Sequence, residues 1–191
     1  IHLMLFEAAS SDDVECGGFD SKFGILGFSI TESKFEDETN LFNAIPITDA
    51  DTVTYDSLYL NMNASIQTFS HNTKGSFFSA AYACSPITPV PVDTVTNIQV
   101  FSVEQTSVTT FDLLEDLTDQ FDIISITEVE GFSDRMALTE FNSRERLAGS
   151  SYFLFPTWQP DSITSIGFRV IVNFTDNDSF EASSKIISIA P

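Results

Sequence analysis

"IGFRVIVNFTDNDSFEASSKIISIA", residues 166–190, alternates apolar and polar side chains on both sides of a polar turn. The first half has an apolar residue at every second position: Phe168, Val170, Val172 and Phe174. The returning half continues with apolar residues that include Phe180, Ala182, Ile187 and Ile189. A period of two is typical of a strand with one buried face, and "TDND" supplies turn residues. The stretch therefore predicts a β-hairpin with Phe168, Val170 and Val172 in the core.

The same period of two, or a richness in aromatic and β-branched residues, marks other parts of the chain. Six further segments are predicted to be strands: 23–30, 57–66, 77–83, 95–103, 121–129 and 152–156. In "SLYLNMNASI" (57–66), one face carries Leu58, Leu60, Met62, Ala64 and Ile66. The other face carries Tyr59, Asn61, Asn63 and Ser65. This division predicts a half-buried strand.

Two segments have helical spacing instead. In "FDLLEDLTDQF" the apolar residues fall on one helical face with Asp112 as N-cap, so we expect a helix within 112–121. A second helix is expected within 137–148, ended by Gly149. Many short strands, with one or two short helices in connections, favour an all-β, antiparallel two-sheet sandwich, immunoglobulin-like or related.

The length of 191 residues suits one sizeable hydrophobic core. No repeat, linker or break in composition divides the chain, so we expect a single β-sandwich domain over residues 1–191. A less regular N-terminal segment is expected at about residues 1–22. No apolar run approaches the roughly 20 residues of a membrane-spanning helix, so we expect no transmembrane segment.

The charge of the chain argues against one class of partner. The 28 acidic and 8 basic residues give a net charge of -20. Such a surface repels phosphate backbones and lacks a basic patch that would release counterions, which argues against nucleic-acid binding. We interpret the acidity as a solvated surface that aids solubility; the alternative is attraction to cations or basic ligands.

Two stretches carry a resemblance: "FFSAAYACSPITPVPVDTVTNIQVFS" (77–102) and "FRVIVNFTDNDSFEASSKIISI" (168–189). Together with "GSSYFLFPTWQP" (149–160), they resemble segments of uncharacterised secreted lipoproteins of Bacteroidetes. The resemblance implies export and an extracytoplasmic location: periplasm, outer-membrane surface or secreted. It carries no known activity and transfers no functional residues. Because the "DVE" before Cys16 does not match a bacterial lipobox, we expect any lipid anchor to lie upstream of the sequence given.

The chain has two cysteines, Cys16 in "VECGGF" and Cys84 in "YACSP". The residues around both are neutral or acidic, which gives no local source for the lowered thiol pKa of a nucleophile. Two cysteines and two distant histidines also lack zinc-finger spacing. The export that the resemblance implies would place both thiols in an oxidising compartment, where we expect a Cys16–Cys84 disulfide. The alternative is two buried free cysteines that pack as small hydrophobic side chains.

The sequence contains no recognisable catalytic, phosphate-binding or dinucleotide-binding motif. We therefore predict no catalytic residue, no metal ligand and no cofactor. A Cys84–His71 nucleophile pair is the weaker alternative, because "SHNTKG" around His71 is typical of an exposed loop. The oxygen-rich segments 49–56 and 176–179 could bind calcium. Neither matches the sequence pattern of an EF-hand loop, and we interpret both as turns.

Trp158 in "FPTWQP" is the single candidate for ligand contact. Its neighbouring prolines stiffen the segment, so an exposed indole could stack on a sugar or an aromatic partner; we favour the other interpretation, an indole folded over the edge of the core. The sequence favours a non-catalytic exported or cell-surface module, binding or structural, whose partner is an unidentified protein or glycan. The alternative is a carboxylate-dependent carbohydrate hydrolase, which needs two acids about 5–10 Å apart across a cleft.

Overall fold

The computed structural model describes residues 21–35, 44–48, 51–70, 90–105, 111–127 and 131–191. The strands of these ranges are β1 Ser21–Lys34, β2 Ile45–Pro46, β3 Thr52–Thr54, β4 Leu58–Ser70, β5 Val90–Pro91, β6 Thr94–Gln105, β7 Phe111–Asp116, β8 Phe121–Thr127, β9 Gly131–Phe132, β10 Met136–Ala137, β11 Arg146–Leu147, β12 Ser151–Pro156, β13 Thr164–Phe174, β14 Ser179–Ser183 and β15 Ile187–Ala190. A 3-10 helix covers Thr118–Gln120 and a helix, α1, covers Leu138–Phe141. The predicted strand at 77–83, both cysteines and His71 lie outside the described residues.

The described strands form two sheets, which confirms the all-β two-sheet sandwich. One sheet has the order β10-β8-β12-β4-β1-β2, with β9 beside β8 and β5 beside β1. The other has the order β11-β6-β13-β15-β3, with β7 beside β6 and β14 beside β13. Most pairs are antiparallel, but β5 pairs with β1, and β3 with β15, in parallel. The sheets are therefore mixed rather than purely antiparallel.

The main core is built from apolar residues of both sheets. Phe168, Val170 and Val172 of β13 are fully buried there, which confirms their predicted side of the hairpin. Leu60 and Met62 of β4 belong to the same cluster. The alternation of the sequence thus places one face of each of these strands in the core.

The C-terminal hairpin forms as predicted, but its returning half is divided. Asn177, in the turn, has a φ of 68°, a left-handed conformation that asparagine tolerates. β14 pairs with residues 169–173 of β13, whereas β15 pairs with residues 164–166. Between them, the Ser184 hydroxyl accepts the Phe168 N–H at 2.8 Å. The side chain of Ser184 therefore takes over a ladder bond where the strand is interrupted.

The second face of β4 differs from the prediction at Tyr59. Tyr59 is fully buried, in a second cluster with Phe35, Phe153 and Phe155. The Tyr59 ring lies 5.8 Å from the Phe153 ring, a distance typical of favourable aromatic pairs. This face of the strand is thus apolar at one end and exposed at Asn63 and Ser65.

The predicted helix within 112–121 is wrong for its first half. Phe111–Asp116 is β7, paired with β6, and only Thr118–Gln120 is helical. β6 has an edge whose backbone N–H and C=O groups need hydrogen-bond partners. Pairing with that edge outweighs the helical spacing of the apolar residues in this segment. Neither helical turn, among the residues that the structure describes, is long and apolar enough to cross a bilayer.

The predicted helix within 137–148 is confirmed only over Leu138–Phe141, and Gly149 is not its cap. The Asn142 side chain accepts the Ile98 N–H and donates to the Ile98 carbonyl, both at 2.8 Å. This amide pairs with β6 as a strand residue would, so the chain leaves the helix and continues into β11. β11 then pairs with β6 directly.

Candidate functional site

One candidate surface lies where β4, β1 and β5 run side by side. Lys22 of β1 pairs with Phe69 of β4 on one side and with Val90 of β5 on the other. Directly paired residues of neighbouring strands point to the same face of a sheet. Phe69 is 51% exposed and Val90 is also exposed. The register therefore sets two apolar side chains on either side of a lysine.

Gly24 lies beneath the side chains of Phe69 and Val92 in this surface. A Cβ at Gly24 would lie 3.4 Å from Phe69 Cε2 and 3.8 Å from Val92 Cγ2. The absence of a side chain lets Phe69 and Val92 approach each other above the backbone of β1. Val92 is half-exposed, and its N–H donates to the Phe23 carbonyl at 2.9 Å.

A bulge in β1 extends the surface to Leu26. The pairing of β1 with β4 shifts register between Ile25 and Gly27, so Leu26 is the extra residue. Leu26 is 59% exposed. The Asp93 carboxylate accepts the Ile25 N–H at 2.7 Å beside the bulge. We call Leu26, Phe69, Val90 and Val92 the apolar patch.

A second candidate is a cavity of about 200 Å³ between β8, β9 and β11. One wall consists of hydroxyl residues: Ser125, Thr127 and Ser133. The other wall is the segment 144–147, which includes Arg144, Glu145 and Arg146. The Ser133 hydroxyl accepts the Ser125 N–H at 2.9 Å, so this wall is held by β8. We call the cavity the arginine cleft.

Contacts with Phe141 and Met136 hold the guanidinium of Arg146 in the cleft. Its Cζ lies 4.9 Å from the centre of the Phe141 ring, and its Nε donates to the Phe141 carbonyl at 3.4 Å. Its Nη2 lies 3.6 Å from the Met136 sulfur. A cation over an aromatic face is stabilised electrostatically. The guanidinium is therefore held without a carboxylate.

Two of the four arginines of the described chain form ion pairs, and the other two do not. Arg135 lies 2.9 Å from the Asp122 carboxylate, and Arg169 lies 3.7 Å from that of Glu181. Among the described residues, no carboxylate lies within 4 Å of the Arg144 or Arg146 guanidinium. Both unpaired arginines line the same cleft, although the chain has 28 acidic residues.

Trp158 is half-buried and packs against the main core. Its Nε1 is buried without a hydrogen-bond partner in the described chain. The preceding residue, Thr157, donates its N–H to the Gln120 carbonyl at 2.9 Å, which ties the segment to the 3-10 helix. This placement corresponds to the favoured interpretation, in which the indole covers the edge of the core.

The oxygen-rich segments are turns only in part, because Thr52–Thr54 within the first of them is strand β3. The Asp51 carboxylate accepts the Thr48 N–H at 2.9 Å, and this hydrogen bond lowers the pKa of Asp51. Asp176 accepts the Asp178 N–H at 3.2 Å in the hairpin turn. Within the described ranges, no three His, Cys, Asp or Glu side chains group as metal ligands would.

Neither candidate surface was predicted as a site from the sequence. The arginine cleft had a readable signal, since three of the four arginines lie between residues 135 and 146. The apolar patch had none, because Val90 and Val92 flank Pro91 in a segment typical of a loop, and only the register of β1 joins them to Phe69.

The chain matches no protein-family model, no curated protein and no solved structure. The resemblance to Bacteroidetes lipoproteins therefore stays a prediction. The arginine cleft has one carboxylate in its lining, that of Glu145. A glycosidase needs two acids flanking its cleft, so the cleft gives the hydrolase alternative no support.

Proposed function

We propose that the protein is a non-catalytic, extracytoplasmic module, exported or held at the cell surface, that binds another protein through the apolar patch. The observation that carries the proposal is the grouping of Leu26, Phe69, Val90 and Val92 around one end of β1. Scattered exposed apolar residues are ordinary on a protein surface, whereas patches of roughly 300–600 Å² often mark interaction sites.

The composition of the patch favours a protein over a glycan as partner. Three of its four side chains are aliphatic, and their burial against other apolar groups is favourable. Sugar stacking relies on flat, exposed aromatic faces, of which the patch has one, Phe69, while Trp158 packs on the core. Lys22, exposed between Phe69 and Val90, would pair with an acidic residue of the partner. The partner is thus expected to present an apolar surface with a carboxylate at its centre.

The extracytoplasmic part of the proposal is supported by the lipoprotein resemblance. A net charge of -20 disfavours nucleic acid as a partner. It also keeps the exposed patch from driving self-association, because like-charged copies repel each other.

The test compares patch variants in one binding assay. Wild-type protein, a Phe69→Ser/Val92→Ser variant and an Ile163→Ser control are immobilised and exposed to envelope and secreted fractions of the producing cells. Ile163 is 65% exposed and is not part of the patch, so its variant matches the loss of surface hydrophobicity. A protein captured by wild type and control, but lost with the double variant, is then purified and its affinity measured directly.

The proposal predicts at least about a tenfold loss of affinity for the purified partner in the double variant, since buried aromatic anchors commonly dominate such interfaces. Equal affinity of all three proteins would contradict a role for the patch. Capture of a glycan and no protein, insensitive to Phe69→Ser/Val92→Ser, would assign binding to another surface.

A further inference from the structure

We propose that the arginine cleft binds an oxyanion group, a carboxylate, sulfate or phosphate, carried by a small ligand. The proposal concerns a different surface from the apolar patch and does not depend on it. It rests on two arginines that share one cavity and, within the described part of the chain, have no carboxylate partner.

The N–H groups of Arg146 are oriented so that they can bind the oxygens of an anion. A guanidinium has five N–H donors in a rigid fork that matches the two oxygens of a carboxylate. Arg146 uses its Nε and one Nη2 donor on Phe141 and Met136. Its remaining N–H groups have no partner among the described residues, and the fork is already oriented by the Phe141 ring. Binding therefore costs little further loss of side-chain freedom.

Arg144 supplies a second, movable charge. It is exposed and lies two residues before Arg146, on the same wall of the cleft. Ser125 also lines the cleft, and its hydroxyl can donate to an anion, whereas the Ser133 hydroxyl already donates to the Asp134 carbonyl at 3.0 Å. The arrangement thus offers two guanidinium groups and one neutral donor.

The two guanidinium groups, rather than a locally positive stretch of chain, would attract an anion to the cleft. Residues 125–147, which span the lining, hold three arginines and five acids within a chain of net charge -20. At physiological ionic strength the Debye length is about 8 Å, so exposed acids farther away are largely screened. Among the described lining residues of the cleft, Glu145 is the acidic one. Its removal is therefore expected to strengthen binding.

The size of the cleft limits what it holds. About 200 Å³ is below the roughly 300–1,000 Å³ of pockets that enclose a whole drug-sized ligand. It accommodates one charged group and a small part of its carrier. The ligand class is therefore a small anion or a ligand with one exposed anionic group, such as an acidic sugar.

The experiment is an NMR titration of the full chain at constant ionic strength, with sodium sulfate, sodium acetate, sodium galacturonate or neutral galactose as the probe. The arginine Nε–H signals and the amides of Ser125 and Ser133 report on the cleft. Arg144→Gln removes one of the two guanidinium groups, Glu145→Gln removes the carboxylate of the lining, and Lys34→Gln, in β1, changes the net charge outside the cleft. Arg144 and Glu145 are exposed, so unchanged spectra elsewhere would verify the fold of each variant.

We expect saturable shifts confined to the cleft with at least one anion and none with galactose. Arg144→Gln should weaken binding at least about tenfold, Glu145→Gln should tighten it, and Lys34→Gln should leave it unchanged. Tighter binding of galacturonate than of acetate assigns the anion to a sugar, whereas equal binding supports recognition of the charged group alone. Shifts that do not saturate, or equal binding by wild type, Arg144→Gln and Glu145→Gln, would overturn the proposal.

Discussion

The backbone N–H of Gly149 donates to the hydroxyl oxygen of Tyr152, with 2.7 Å between the two atoms, in the interior of the protein. A Cβ at Gly149 would lie 2.6 Å from the Ile126 carbonyl oxygen, so only glycine fits this approach to β8. The glycine expected to cap a helix thus allows the chain to pass close to β8 before β12 begins.

The first prediction follows from the burial of Tyr152. Burial raises the pKa of its hydroxyl to about 12, against the usual 10.0. The unfolded chain therefore releases this proton at a lower pH than the folded protein, and stability that is intact below pH 10 is lost as pH rises toward 12. The loss should approach roughly 3 kcal/mol over this window, measured by denaturant titration at successive pH values.

Tyr152→Phe is the control for this pH dependence. It leaves the buried Gly149 N–H without its acceptor, so stability at pH 8 should fall by about 1–3 kcal/mol. The variant should also have a shallower loss above pH 10. An alkaline profile parallel to that of the wild type would assign the pH dependence to other groups, such as Tyr59, whose pKa burial also raises.

The second prediction concerns Ser184, at the interruption between β14 and β15. Its hydroxyl accepts the Phe168 N–H and donates to the Lys185 carbonyl, both at 2.8 Å. Ser184→Ala leaves a buried N–H unpaired and should reduce the free energy of unfolding by about 1–3 kcal/mol. Ser183→Ala, at the neighbouring exposed position, should change it by less than about 0.5 kcal/mol. Equal effects of both variants in denaturant titrations would contradict the role of the Ser184 hydroxyl.

Local alternation was sufficient to predict the hairpin but not its division. Phe168, Val170 and Val172 were placed correctly because a period of two depends on the strand alone. The interruption at Ser184 depends on which strand lies opposite each half, and a serine is compatible with either a strand or a break. Likewise, the spacing of Leu113, Leu114 and Leu117 suits a helix, and only the open edge of β6 selects a strand.

The candidate surfaces were less predictable than the fold because they depend on pairing between distant segments. The apolar patch exists because Lys22 meets both Phe69 and Val90, a relationship that no local pattern encodes. The arginine cleft joins residues of β8 to a segment that was expected to be helical. A helix through 144–147 would not have paired with β6, so the error in secondary structure concealed the cleft.

The third prediction tests the second aromatic cluster. Tyr59→Ala removes a fully buried ring that contacts the rings of Phe35, Phe153 and Phe155, and should destabilise the protein by about 3–5 kcal/mol. Ser65→Ala, at an exposed position on the same face of β4, should cost less than about 0.5 kcal/mol. A small effect of Tyr59→Ala would mean that the cluster closes over the missing ring.

The last prediction is the disulfide between Cys16 and Cys84, which lie outside the described residues. The parallel pairing of Lys22 with Val90 provides a new reason for it, because each cysteine precedes its member of this pair by six residues. Six residues span at most roughly 20 Å, so both segments start side by side and have equal reach. This reach is long enough for the two cysteines to come within the Cα separation of roughly 4.4–6.8 Å that a disulfide requires.

Intact mass before and after reduction tests the bond, with Cys16→Ser/Cys84→Ser as the variant. Formation removes two hydrogens from the thiols and passes two electrons to a disulfide-bearing oxidant of the extracytoplasmic compartment. We therefore expect a gain of two hydrogens on reduction and no thiol labelling in the unfolded, unreduced chain. Because the bond closes a loop of about 70 residues in the unfolded state, the variant should lose roughly 4 kcal/mol, less any strain. Two thiols that label without reduction, in protein isolated from its own compartment, would refute the pairing and leave the cysteines as small hydrophobic side chains.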